Sequence, residues 1–243
     1  MASPTPPAAA STTFDFGRAF TFVKEDPDAV KKILIGGVFA LLSLLIVGAF
    51  FVAGYLARLI QRVARGELLP LPEWDDFGGL FVDGAKLLGA YLIYTLGLYL
   101  VLGCPFGMLM VVVGASSGRH DSGGLGALAG LGIFALYGAL LLGSLIIGLY
   151  LPAAFVRMAL NGEFRAAFQV TENLAFIRRN LLNYLLSLVL YIIGAVVAQF
   201  GILLCCVGIF PLSFWGLCMF GWGLGETARR DAVLCPPQAG PAY

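Results

Sequence analysis

Apolar positions in this chain fall in long, nearly unbroken stretches separated by short polar connections. The stretches run from Ile33 to Ala57, Leu87 to Ala115, Leu125 to Leu151 and Leu181 to Gly225. A helix rises 1.5 Å per residue, so ~20 apolar residues cross the ~30 Å hydrocarbon layer of a bilayer. The second and third stretches therefore predict single spans, the second with a kink at Cys104-Pro105. The last is too long for one crossing. Gly201, Gly208 and Pro211 can break it, which predicts spans over 181–203 and 207–225 joined by a tight turn near Leu204 to Val207. Residues 33–57 permit two readings. One is a single tilted crossing; the other is a short hairpin turning near Ser43 to Gly48, with both halves entering from one side.

The connections carry a different pattern. Phe14, Phe16, Phe20 and Phe22 alternate with Arg18 and Lys24, as in a segment lying at a membrane surface. Pro27 between Asp26 and Asp28 opens a helix. After Leu69-Pro70-Leu71-Pro72-Glu73-Trp74-Asp75-Asp76, one helical face gathers Phe77, Leu80, Phe81, Gly84 and Leu88. Asp76, Asp83 and Lys86 fall on the other face, which predicts a surface-lying helix. Residues 157–180 form a polar, helical connection. The chain ends, 1–13 and 231–243, are Pro-rich and read as disordered tails around one membrane domain, 14–230. The first lacks the basic start and apolar stretch of a signal peptide. R-V-A-R-G-E at 62–67 and R-M-A-L-N-G-E at 157–163 show a weak internal similarity, each followed by an amphipathic stretch and a span.

Composition sharpens this into a class. Of 243 residues 60% are hydrophobic and 12% charged, half the ~25% of soluble domains, and the mean hydropathy is +0.92. Only lipid accommodates so much apolar surface. The net charge of +1 offers no basic surface for nucleic acid. The 15 Lys and Arg discriminate between the readings of 33–57. A single crossing divides them 5 to 10 across the membrane. A hairpin divides them 1 to 14, with Arg119 alone outside. Cytoplasmic loops carry the Lys/Arg excess, so the hairpin is favoured, with both termini in the cytoplasm.

Candidate chemistry is sparse. His120 is the single histidine, beside Arg119 and Asp121, so neither a bis-His haem site nor a multi-His metal site can form within the chain. The four clear spans hold no Asp, Glu, Lys or Arg, which counts against ion-coupled transport. The odd number of cysteines, five, without a C-x-x-C spacing, gives no disulfide framework. No catalytic, cofactor-binding or metal-ligating residue is assigned, and no enzymatic activity is expected. Glu73, Trp74, Asp75 and Asp76 are candidates for capping the following helix or for docking a partner. Small residues four apart, Gly126 and Gly130, Ala139 and Gly143, Ser144 and Gly148, are candidates for close helix packing.

E-D-P-D-A-V-K-K-I-L-I-G-G at 25–37, G-Y-L-A-R-L-I-Q-R-V-A-R-G-E at 54–67 and L-P-E-W-D-D-F-G-G-L-F-V-D-G-A-K at 71–86 together resemble the membrane family called domain of unknown function 4013. The likeness runs from about Phe14 to Ala90, with L-P-E-W-D-D its specific part. The second half also looks like a wider group of six-helix bacterial membrane proteins. These resemblances imply an architecture and carry no activity. The expectation is an all-α, polytopic integral membrane bundle: a short N-terminal re-entrant hairpin, four transmembrane helices and cytoplasmic amphipathic helices. Its expected role is a non-catalytic scaffold or accessory subunit of a membrane complex, with the bilayer and other subunits or a second copy as partners. The alternative is a lipid- or small-solute-handling, transporter-like protein.

Overall fold

The computed structural model describes residues 14–116, 123–203 and 208–235, with the backbone alone for residues 116 and 123–129. The Arg119–Asp121 loop, the turn at 204–207 with Cys205 and Cys206, and residues 1–13 and 236–243 lie outside the described residues. Of those described, 85% are helical and none is in a strand. Helices α1 (Arg18–Thr21), α2 (Ala29–Leu42), α3 (Val47–Ala64), α4 (Phe77–Leu98), α5 (Cys104–Ser116), α6 (Gly123–Asn161), α7 (Val170–Arg179), α8 (Leu181–Phe200) and α9 (Ile209–Arg229) follow in order.

The stretch 33–57 is a helical hairpin, not a single crossing. α2 and α3 are joined by a tight helical turn at Ser43–Leu45 and by Ile46 at φ +68°. Both open ends meet at the same loop, since the Lys32 ammonium and the Arg62 guanidinium each donate to the Leu71 carbonyl. The tip beyond Ser43 is apolar and open: Leu44, Leu45 and Ile46 are all at least 70% exposed. At 1.5 Å per residue α2 is about 21 Å long, shorter than a hydrocarbon layer, so such a tip suits lipid rather than headgroups.

Four helical stretches are long and apolar enough to cross a membrane: Val47–Ala64, Phe77–Ala115, Gly130–Asn161 and Leu181–Leu203. The number agrees with expectation, but the membership differs. The second half of the hairpin enters the set, and α9, expected as a span over 207–225, does not. Its glycines, tryptophans and Glu226 lower its hydropathy because it faces protein more than lipid. Thirteen of its residues, between Phe214 and Ala228, are buried, and the helix packs against α2, α3 and α8. Close contact needs glycine: a Cβ on Gly194 of α8 would stand 2.6 Å from the Gly216 Cα of α9.

Three further boundaries differ from the sequence reading. The amphipathic stretch at 77–86 is no separate surface helix. It is the start of α4, packed on α3 where Gly54 and Gly84 bring the two backbones together. The Phe-rich N-terminal segment folds onto the bundle, with Phe22 stacked on Trp222 at 6.0 Å. Residues 231–235, expected in the C-terminal tail, pack on the bundle: Asp231 is buried, and Leu234 and Cys235 pack against the core. The expected kink before Pro105 is a π-helical turn, Tyr99–Gly103. Proline has no N–H to continue the ladder, and a π turn absorbs the mismatch.

Packing divides the molecule in two. One end is dense and carries the charges. Above it, no residue from Tyr91 to Ala115 or from Gly130 to Tyr150 is buried. α5, the upper part of α4 and most of α6 thus form an apolar arm. The 21 residues of α6 from Gly130 to Tyr150 span about 31 Å, one hydrocarbon thickness. Pro152 stands where α6 enters the dense end.

Candidate functional site

Two motifs meet in space at the dense end. Lys32, on the first turn of α2, is 4% exposed. Its ammonium contacts Asp26 at 2.7 Å and Glu73 at 2.5 Å and donates to the Leu71 carbonyl at 3.3 Å. The E-D-P-D segment is thereby tied to L-P-E-W. Burial pulls the Lys32 pKa down, but the hydrogen bonds and charges of Asp26 and Glu73 outweigh it and hold the group above its ordinary value. A buried cation survives here because two carboxylates and a carbonyl replace its water.

Trp74 closes this corner. Its indole N–H donates to the Lys32 carbonyl at 3.1 Å, and its ring stacks on Tyr55 at 4.6 Å and Phe39 at 4.9 Å. The ring is held inside the hairpin by aromatic neighbours. Asp76 caps α4, accepting from the Gly79 N–H at 2.9 Å and pairing with Arg58 at 2.6 Å. Those two contacts hold its carboxyl below the usual range, the Gly79 hydrogen bond first. Asp75 accepts from the Asp76 N–H. The acidic patch thus serves three connections: Glu73 to α2, Asp76 to α3 and the start of α4.

The two similar motifs end alike. Gly66 and Gly162 are the two glycines at positive φ among the described residues, +73° and +70°. Each ends a helix in the left-handed conformation that glycine adopts without steric cost. The arginine that opens each motif fastens the loop that follows. Arg62 reaches Leu71 and Glu67. Arg157, 6% exposed, reaches Asn173, Gln169 and Glu172. Fully buried Asn173 then donates to the Tyr150 hydroxyl and the Ala166 and Ala167 carbonyls. Sequence reasoning missed Asn173; its only sign was a lone amide in an amphipathic helix.

At the C-terminal end of α9, Glu226 is buried against Arg229 and Arg230. Burial would push its carboxyl up, but the two guanidiniums hold it below the ordinary range. Asp231 likewise stays low despite burial, held by the Val233 N–H, Arg179 and Asn180.

The six packing candidates separate into different roles. Gly143 faces the protein, where a Cβ would lie 2.6 Å from a Leu98 methyl of α4. Gly130 and Gly148 face nothing within 4 Å. They are 18 residues apart, about five turns, and so lie on one face of α6; Gly143 is turned ~140° away. Ala139 is half-buried. Ser144 is exposed, and its hydroxyl is consumed by the Leu141 carbonyl at 2.8 Å. Gly126 lies in the part of α6 described by backbone alone. Gly138 on the same helix, and Gly97, Gly107 and Gly114 on α4 and α5, also face nothing within 4 Å.

The family model described as "Protein of unknown function (DUF4013)" matches residues 38–207, well over half of the chain. The chain belongs to this family. The match includes R-V-A-R-G-E and L-P-E-W-D-D, starts after the E-D-P-D segment and continues through the arm and α8, beyond the Ala90 limit read from motifs. No curated protein and no solved structure gives a significant match. The chain is a membrane protein of a family of unknown function with four helices fit to span a bilayer.

Proposed function

We propose that the chain is a non-catalytic scaffold or accessory subunit of a membrane complex. Its dense, charged end would sit at the cytoplasmic surface, and its α4–α6 arm would receive a helix from another subunit or a second copy. The observation that carries this reading is the open face of α6 at Gly130 and Gly148. Glycine inside a helix costs roughly 1 kcal/mol relative to alanine. Within a membrane, small residues offset that cost when a neighbouring backbone packs on them. Gly143 receives a side chain of this chain, Leu98, and Gly130 and Gly148 face nothing within 4 Å.

A small-solute role draws on a different feature, a hollow of about 350 Å³ between the hairpin tip and α8–α9, lined in part by Ser43, Gln199 and Ser213. Beneath it Phe214, Met219 and Leu224 are fully buried. A route along α9 would have to displace that packing, which supports the subunit reading over the solute one.

Leucine replacements on the two faces of α6 test the proposal. Gly143→Leu should lower the thermal stability of the monomer in detergent, because Leu98 must move. Gly130→Leu with Gly148→Leu should leave monomer stability unchanged and dissociate the oligomer or complex on size-exclusion chromatography. An unchanged elution profile for the double variant in mild detergent would remove the observation on which the reading stands.

A further inference from the structure

We infer that the cleft between α6 and α8 is a binding site for one anionic phospholipid, its acyl chain in the cleft and its phosphate on Arg178. The cleft holds about 490 Å³, within the ~300–1,000 Å³ range of small-molecule sites. Its walls include Ile146 and Tyr150 of α6 and Leu185 and Leu188 of α8, and its floor includes Leu174 and Ile177 of α7. The tyrosine hydroxyls around it are already engaged. Tyr94 and Tyr150 bond each other and the Ala167 carbonyl, and Tyr184 donates to the Leu149 carbonyl. What remains in the walls is hydrocarbon, so the occupant must present hydrocarbon too.

α7 supplies the polar end. Successive residues turn ~100° about a helix axis. Asn173 and Phe176 point inward and are buried, whereas Leu174 and Ile177 turn to the cleft. Arg178 lies ~40° beyond Leu174 on the cleft flank, and Arg179 falls on the opposite flank, where it pairs with Asp231. Arg178 is exposed and makes no ion pair among the described residues. A cation at the edge of a purely apolar cleft complements an amphiphile with one negative charge beside its chain. A guanidinium binds a phosphate through paired N–H donors.

The inference does not depend on the arm receiving a partner helix, and the test reads lipid alone. The full chain, purified in detergent, is incubated with phosphatidylglycerol or with phosphatidylcholine of identical chains, and retained lipid is counted by native mass spectrometry. The wild type should retain phosphatidylglycerol about fivefold better, the factor that ~1 kcal/mol per basic residue gives. Arg178→Gln should abolish that preference, whereas Arg65→Gln, an exposed arginine at the end of α3, should leave it intact. Leu188→Trp, which fills the cleft, should lower retention of both lipids. Melting temperature confirms that each variant is folded, and one that does not fold is replaced by Arg178→Ala or Leu188→Phe. Equal retention of the two lipids by the wild type, or a preference that survives Arg178→Gln, would overturn the assignment.

Discussion

Lys32 shows how one side chain can hold a corner of the protein. Its ammonium and the Asp26 carboxylate are 5% and 2% exposed, and the third partner, Glu73, is 56% exposed. Removing one member of a buried pair leaves an uncompensated charge, at a cost of about 3–5 kcal/mol. Replacing both by apolar residues of similar size is far less harmful. Asp26→Leu should therefore destabilise the protein in detergent unfolding, by less than that full cost because Glu73 and the Leu71 carbonyl still hold Lys32, and Asp26→Leu with Lys32→Met should recover much of the loss. A double variant as unstable as the single one would mean that specific packing of these side chains, and not unpaired charge, sets the cost.

At the scale of elements, the charged end works as a set of ties between helix termini. Asp231 fastens the residues after α9 to the junction of α7 and α8 through Arg179 and Asn180. Its pKa and that of Glu226 are lower folded than unfolded. A depressed carboxylate contributes stability that is full above its unfolded value, near ~4, and is lost as pH falls through the lower folded value. Melting temperature should therefore change little with pH near neutrality, where these groups contribute fully, and fall on acidification below about pH 4. Asp231→Asn should lower the neutral-pH melting temperature and flatten the acid limb. An acid limb unchanged in this variant would show that other groups control it.

For the whole molecule, the decisive feature is that the described Lys and Arg side chains gather at one end while the arm and the hairpin tip are apolar. The cytoplasmic excess of basic residues predicts which way the bundle faces. In a background without native cysteines, a cysteine at exposed Ala115, near the end of the arm, should react with an impermeant thiol reagent added outside intact cells. One at exposed Arg65, at the charged end, should react only after permeabilisation. The reverse labelling pattern would invert the assigned orientation.

The linear pattern of apolar runs was enough to determine an all-helical membrane protein, because a chain in lipid must satisfy its backbone within helices and can place few charges there. The hairpin was legible too, since it divides the basic residues far more unequally between the two membrane faces than a single crossing does. Local spacing offered Asp75 and Asp76 alike for the cap of α4, and the structure gives it to Asp76. The partners of Lys32 were not legible: Asp26 and Glu73 are 47 residues apart in the chain, and only tertiary packing brings both to one ammonium. Burial in protein and burial in lipid demand the same apolar residues, so the sequence could not distinguish α9, wrapped by its neighbours, from a lipid-facing span. For the same reason it could not separate Gly143 from Gly130 and Gly148. A glycine is equally silent whether a helix of its own chain covers it or none does, and only the arrangement of α4 against α6 decides which.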